Sequence, residues 1–198
     1  MPRISYEIRD SLYLNITNSC TNECYFCIRF FSDFVKGHNL RLDNEPSLNE
    51  ILAAIRDVEK YKEIVFCGYG EPTLRLDIVK KVAKALKEKG KVVRLVTNGH
   101  GDLINGRPIA KELAGLIDKV SVSLDADTKE KYKKICKPKF GDGTFGAIMR
   151  FIRECKDAGL EVEVTCVDIP EVDIERCKLI AEKELGVVFR RRKYNVVG

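Results

Sequence analysis

Three thiols, Cys20, Cys24 and Cys27, fall within eight residues at the spacing C-x3-C-x2-C. The run Leu12-Tyr13-Leu14-Asn15-Ile16-Thr17 before them reads as a strand, so the thiols sit on the loop that leaves it. Three closely spaced thiolates can hold three irons of a [4Fe–4S] cluster, which leaves the fourth iron open to a small molecule. A structural zinc ion asks for four ligands, usually as two separated pairs. No second C-x2-C pair is present, and the two histidines, His38 and His100, stand at unrelated spacings. The iron–sulfur reading is therefore favoured over a zinc site or a group of inert thiols.

The elements that must position these thiols follow from periodicity. Apolar or alternating runs at 12–17, 64–67, 92–97, 120–125, 162–167 and 187–190 read as six strands. Helical patterns lie between them. Ser47 and Glu50 form a capping box for a helix ending near Lys60. Asp77 is expected to cap the next helix, with Gly90 as its stop. Pro108 suits the first turn of another. Further helices are expected from about 128 to 135, 144 to 158 and 173 to 185. Alternation of this kind predicts an α/β fold, an open partial (β/α)6 TIM-like barrel with parallel strands, as a single domain over residues 1–198. The stretch from Ile28 to Glu45 lacks periodicity and carries Phe30, Phe31 and Phe34. It is expected either to wrap the cluster or to be a surface insertion packed by its own phenylalanines.

Sites in parallel α/β folds lie at the carboxyl ends of the strands. The first strand leads into the cysteines and the second into Gly68-Tyr69-Gly70-Glu71-Pro72. The third leads into Thr97-Asn98-Gly99 and the fourth into Ser123-Leu124-Asp125. The fifth ends through Thr165 and Val167 at Asp168, and the sixth enters Arg190-Arg191-Arg192-Lys193-Tyr194-Asn195. Glycines after the second strand let a ligand approach the backbone closely. Asn98 before Gly99 also reads as a turn former, and Asp125 as a cap of the following helix. Arg190 and Arg192 point the same way on a continuing strand and suit a carboxylate or phosphate, although a solvated basic tail is the other reading. Cys136, expected in a loop beside Lys137-Pro138, is either a reactive thiol or ordinary packing.

With 44% hydrophobic and 33% charged residues, the composition is that of a soluble globular chain, and no apolar run nears a membrane span. No apolar signal region follows Met1, and eight cysteines fit a reducing compartment, so a cytoplasmic location is expected. A net charge of +5 permits an anionic partner without arguing for nucleic acid.

The cysteine spacing, the aromatic Phe26 before the last thiol and the preceding strand together resemble the radical S-adenosylmethionine (SAM) superfamily. Gly70 and Glu71 match that family's Gly-Gly-Glu motif, with Tyr69 where its first glycine is usual. Ser123-Leu124-Asp125 is similar to its ribose-contacting strand, while the fifth strand lacks the family's adenine-binding glycines. More narrowly, 12–18, 66–73 and the ending Arg192-Lys193-Tyr194-Asn195-Val196-Val197-Gly198 resemble the TatD-linked radical SAM subgroup.

The resemblance implies a [4Fe–4S] cluster on Cys20, Cys24 and Cys27. It implies SAM among Phe26, Gly68, Tyr69, Gly70, Glu71, Thr97, Asn98, Ser123, Asp125 and Val167. Arg190, Arg192 and Cys136 are the candidates for work on substrate, with the two arginines also candidates for the SAM carboxylate. The implied activity is reductive cleavage of SAM to a 5′-deoxyadenosyl radical that takes hydrogen from a small molecule, peptide or RNA. A flavodoxin or ferredoxin-type reductant and a TatD-type hydrolase are the implied partners. A glycyl-radical-type activating enzyme, a tRNA-modifying enzyme and a non-catalytic Fe–S or zinc module are the alternatives.

Overall fold

The computed structural model describes residues 2–194. Strands β1 (Ser5–Ile8) and β2 (Ser11–Leu14) form an antiparallel hairpin whose turn places Arg9 at φ 56°. The cysteine loop follows, then a 3-10 turn at Ile28–Phe30 and a small hairpin of β3 (Phe34–Val35) and β4 (His38–Asn39). Lys36 and Gly37 take φ 47° and 82° in its turn, the positive values that a tight two-residue hairpin requires. The stretch from Ile28 to Glu45 is thus partly regular. Its phenylalanines do not pack it: Phe30, Phe31 and Phe34 are 55%, 56% and 52% exposed, and a small core of Tyr6, Leu40 and Tyr69 lies beneath.

Helix α1 (Leu48–Ala54) has the expected capping box. It stops earlier than expected, and Asp57 in the left-handed region at φ 45° opens a separate 3-10 turn at Val58–Lys60. After β5 (Glu63–Phe66), a 3-10 turn at Pro72–Arg75 leads into α2 (Leu76–Glu88). Asp77 therefore lies within the first turn of α2 instead of capping it. Strand β6 (Val92–Thr97) precedes two short helices, α3 (Gly101–Asn105) and α4 (Ala110–Leu113), where one was expected. Gly106 at φ 65° ends the first of them.

Strand β7 (Lys119–Ser123) is followed by α5 (Lys129–Cys136), capped by the Thr128 hydroxyl and not by Asp125. Cys136 is thus the last helical residue and not part of a loop. Helix α6 (Thr144–Asp157) leads to β8 (Glu161–Asp168). Helix α7 (Ile174–Leu179), capped by Asp173, continues as a wider turn over Ile180–Leu185 before β9 (Val188–Lys193).

The main sheet runs β1-β2-β5-β6-β7-β8-β9. From β2 to β9 the six strands are parallel, as expected of an open α/β partial barrel. The antiparallel β1 makes a seventh strand that periodicity did not suggest.

Strand side chains alternate in environment. Leu12, Leu14, Ile64, Phe66, Leu95, Val122 and Val164 are buried in one core with Val79, Val82, Leu86, Phe151 and Ile152 of the helices. Each such side chain contributes roughly 1.5–3 kcal/mol. The opposite face is not apolar toward the N-terminal ends of the strands. There Tyr13, Glu63, Arg94, Lys119, Glu163 and Arg190 border a cavity of about 490 Å³. Arg94 donates to both carboxylate oxygens of Glu63 at 2.7 and 3.0 Å. Burial raises the Glu163 carboxyl, but hydrogen bonds from Arg190 and Ser121 and the Lys119 charge prevail and hold it down to about 2. The polar face lets the helices carry the apolar core while the barrel interior stays available for charged groups.

Candidate active site

A cavity of about 350 Å³ opens at the carboxyl ends of all six parallel strands. That volume falls within the roughly 300–1,000 Å³ of small-molecule sites. Cys20, Cys24 and Cys27 border it, with Gly68 to Glu71, Thr97, Asn98, Ser123, Asp125, Val167 and Arg192. The structure thus brings residues from each of the six strand exits to one cavity.

The cysteine loop is held from several sides. The Glu23 main-chain N–H donates to the Cys136 carbonyl at 2.8 Å, and that of Tyr25 to the Ile135 carbonyl at 3.2 Å, which fastens the loop to the end of α5. Asn98 Nδ2 donates to Thr21 Oγ1 at 3.0 Å and lies 3.7 Å from Cys20 Sγ. Behind the loop, His100 bridges Thr21 Oγ1 at 2.8 Å and the Tyr132 hydroxyl at 2.7 Å. The same hydroxyl accepts from Asn22 Nδ2 at 2.9 Å. Burial lowers the His100 pKa to about 4, so the imidazole is neutral at pH 7 and each ring nitrogen keeps one role, donor or acceptor. Burial pushes the Cys20 thiol up to about 11, so in the metal-free protein it holds its proton, which metal binding would have to displace.

The glycines after β5 border the cavity and also answer a need of the backbone. A Cβ on Gly68 would lie 2.3 Å from Asn15 Oδ1, and one on Gly70 would lie 2.2 Å from the Ser19 carbonyl oxygen. They let the turn after β5 press against the loop leaving β2, where the Glu71 N–H donates to the Ser19 carbonyl at 2.8 Å. Glu71 itself is buried. Its Oε1 accepts from Thr73 N, Thr73 Oγ1 and Thr97 Oγ1 at 3.0, 2.7 and 2.8 Å, and its Oε2 accepts from Asn98 N at 2.7 Å. Burial raises its pKa and these four donors oppose the rise. Tyr69 sends its hydroxyl to the Arg29 and Ser32 carbonyls and to Asp33, at 3.1–3.3 Å. The tyrosine in place of the usual glycine thereby anchors the phenylalanine-bearing stretch.

Across the cavity, Asp125 takes φ 50° and accepts from the Val167 N–H at 3.0 Å. Arg192 donates to Asp125 Oδ1 at 3.2 Å and lies 3.4 Å from Ser123 Oγ. Asn98 also serves its turn, accepting the His100 N–H at 2.9 Å while Gly99 sits at φ 80°. Phe26 is half-buried at the border and meets Tyr25 edge to face at 5.8 Å. Two candidates lie elsewhere. Arg190 faces the same side as Arg192 but is bound to Glu163 at 3.0 Å in the lower cavity. Cys136 is fully buried behind Cys24, and a hydrogen bond with that thiol, then burial, raises its pKa. Asn195 and residues 196–198 of the expected ending motif lie outside the described residues.

Arg29, Asn22, Cys67 and Tyr194 also border the cavity, though residue-type reasoning did not nominate them as ligands. Only proximity to the cysteines in the sequence could have flagged the first two.

Among the described residues, three buried polar atoms of cavity residues have no partner: Asn22 Oδ1, Arg29 Nε and Arg192 Nε. Such atoms are costly unless a ligand or water meets them. Among the described residues no three His, Cys, Asp or Glu side chains converge as the donors of one ion would. A cluster asks something else of its thiols, since each binds a different iron. Three thiols around one cavity, with unpartnered donors and an acceptor beside them, fit a cluster together with a polar ligand.

The radical SAM superfamily model matches residues 14–183. The chain belongs to the radical SAM superfamily. Members of this superfamily are enzymes that use a [4Fe–4S] cluster and SAM. Over 182 residues the chain is 34% identical to a "Probable GTP 3',8-cyclase" of Methanocaldococcus jannaschii, covering 87% of this chain and 56% of that protein. It is 32% identical to one of Saccharolobus islandicus, covering 76% of this chain and 45% of the relative. The chain thus spans about half the length of these relatives. Streptococcus suis SuiB bound to S-adenosylmethionine superposes with a TM-score of 0.70 at 16% identity, over 95% of this chain and 41% of SuiB. The hydrogenase maturase HydG of Carboxydothermus hydrogenoformans gives 0.63 at 16% identity, over 93% of this chain and 44% of HydG. These two likenesses show the fold. No helix among the described residues is long and apolar enough to cross a membrane.

Proposed function

We propose that residues 1–198 form a radical SAM core in which Cys20, Cys24 and Cys27 hold a [4Fe–4S] cluster and the adjoining cavity holds SAM. The observation that carries this reading is the cavity itself. It is bordered by the three thiols and by exits from all six parallel strands, and it contains buried polar atoms that lack partners among the described residues. When bound, cluster and SAM supply a 5′-deoxyadenosyl radical able to take hydrogen from an unreactive carbon.

The chain's own residues bind, orient and shield. The Gly70 turn, fastened to the Ser19 carbonyl, offers backbone groups for the amino acid end of SAM. Ser123 and the unpartnered Nε of Arg192 suit its hydroxyls or carboxylate. Val167 and Val96 supply apolar walls. Asn98 and the Thr21–His100–Tyr132–Asn22 chain fix the cysteine loop, which keeps the thiols at set positions while SAM comes and goes. A flavodoxin or ferredoxin-type protein is the proposed electron donor.

The identity to probable GTP 3',8-cyclases supports a purine nucleotide as the first substrate to test. Peptide or protein substrates form a second reading, which covers an activase of a glycyl radical partner. Three exposed phenylalanines, Phe30, Phe31 and Phe34, just after Cys27 favour it. The motifs at 12–18 and 66–73 support placement in the TatD-linked subgroup, with a TatD-type hydrolase as associate. Anaerobic incubation of the iron-loaded protein with SAM, dithionite and either GTP or a peptide library tests these readings. Substrate-dependent 5′-deoxyadenosine formation supports one of them, and identical basal cleavage with every addition counts against both.

A further inference from the structure

Arg29 sits two residues after the last cysteine, on the 3-10 turn at Ile28–Phe30. It is half-buried and borders the cavity with the three thiols. One terminal nitrogen donates to the Asn18 carbonyl at 3.2 Å and the other to the Asn22 carbonyl at 2.7 Å, so the guanidinium spans the backbone on both sides of Cys20. Its Nε is buried without a partner among the described residues. Its Cζ lies 5.6 Å from the ring centre of Phe30. Among the described residues no Asp or Glu forms an ion pair with it, although most arginines bordering the two interior cavities have one.

A cation taken out of water needs a counter-charge, and carbonyl oxygens only partly supply one. We infer that the Arg29 guanidinium is the counter-charge of the cluster held by Cys20, Cys24 and Cys27 and sets how readily that cluster accepts an electron. This rests on the iron–sulfur reading proposed above. A cluster gains one negative charge when a one-electron donor reduces it. A fixed positive charge alongside favours the reduced form and moves the potential upward. Arginine suits the place better than lysine because its planar fork reaches two carbonyls and still presents a third N–H. Arg29 is thus a positioning residue that acts through the cluster, with a brace on Asn18 and Asn22 as its second task.

The test compares the full chain with its Arg29→Lys and Arg29→Gln variants. Each is loaded anaerobically with iron and sulfide, its iron is counted, and its midpoint potential is read from the EPR signal during dithionite titration without SAM. The expected result is similar iron in all three, a potential near the parent's for Arg29→Lys and a more negative one for Arg29→Gln. A brace alone would not separate the two variants by charge. Equal potentials for Arg29→Gln and the parent overturn the inference. So does equal loss of iron from both variants, which would make the guanidinium a brace and nothing more. If the parent itself binds no iron, the underlying reading falls and the inference with it, an outcome distinct from the other two.

Discussion

The main-chain N–H of Asn98 donates to Glu71 Oε2 at 2.7 Å, which joins the exits of β5 and β6 beneath the cavity. Three more donors, from Thr73 and Thr97, complete the shell of the same carboxylate. Glu71 is therefore a keystone of the cavity floor, with three donors on Oε1 and one on Oε2. Replacing it with Ala strands four buried donors and is expected to destabilise the protein by about 3–5 kcal/mol. Glu71→Gln keeps one acceptor oxygen but turns an amide donor toward another donor, for a loss of about 1–3 kcal/mol. Urea unfolding of the metal-free protein measures both. Unchanged midpoints would remove the keystone role.

Gly70→Ala forces a Cβ against the Ser19 and Thr17 carbonyl oxygens, at 2.2 and 2.7 Å. The backbone on both sides must shift, at a cost of about 3 kcal/mol, and the cysteine loop moves with it. Gly146, inside α6, has open space where a Cβ would go. Gly146→Ala should instead stabilise by roughly 0.5–1 kcal/mol. Opposite signs in thermal unfolding support this contrast, and a tolerated Gly70→Ala refutes it.

His100 gives the stability a defined pH dependence. Burial holds its folded pKa at about 4, below the ordinary 6.5. The unfolded chain therefore binds a proton first as pH falls. Its contribution is fully present above pH 6.5 and is lost as pH falls toward 4, by up to about 3 kcal/mol. Denaturant midpoints at pH 7.5 and 5 should differ clearly for the parent and much less for His100→Gln. Equal slopes would contradict the assignment. Glu163, held at about 2, acts in a lower window, between its ordinary value of 4.5 and pH 2.

Asp125 joins β7, β8 and β9, because it accepts from the Val167 N–H and pairs with Arg192. Asp125→Asn keeps an acceptor for Val167 and removes the charge pair. The Arg192 side chain is 34% exposed, so the expected loss is only about 1 kcal/mol. Asp125→Ala also strands the Val167 N–H, which adds about 1–3 kcal/mol. Similar losses for the two variants would show that the hydrogen bond to Val167 carries no weight.

The parallel strands were legible because each carries an apolar alternate row with a polar exit, and the cavity was legible because those exits lie at one end of the sheet. Strand β1 was not: four residues with a turn at Arg9-Asp10, lacking glycine, carry no hairpin signal, and only pairing with β2 defines it. The Lys36-Gly37 turn did carry such a signal, hidden in a stretch otherwise without period. Arg190 and Arg192 are alike in sequence, yet two residues of strand separate a lower ion-pair network from the cavity border. The glycines after β5 border the cavity, and their close approach to Asn15 and the Ser19 carbonyl is a long-range demand that local spacing does not show. Long-range partners of this kind, like the Tyr69 hydroxyl on the Ser32 carbonyl, leave no trace in local spacing.

The central claim is that Cys20, Cys24 and Cys27 hold a cluster that cleaves SAM. The direct measurement is 5′-deoxyadenosine formed from SAM and dithionite by the anaerobically iron-loaded protein, with iron and zinc counted, beside Cys24→Ala. The account predicts about four irons per chain and deoxyadenosine from the parent. It predicts loss of both from Cys24→Ala. Zinc in place of iron, or intact SAM over a reduced cluster, or full cleavage by Cys24→Ala would contradict it.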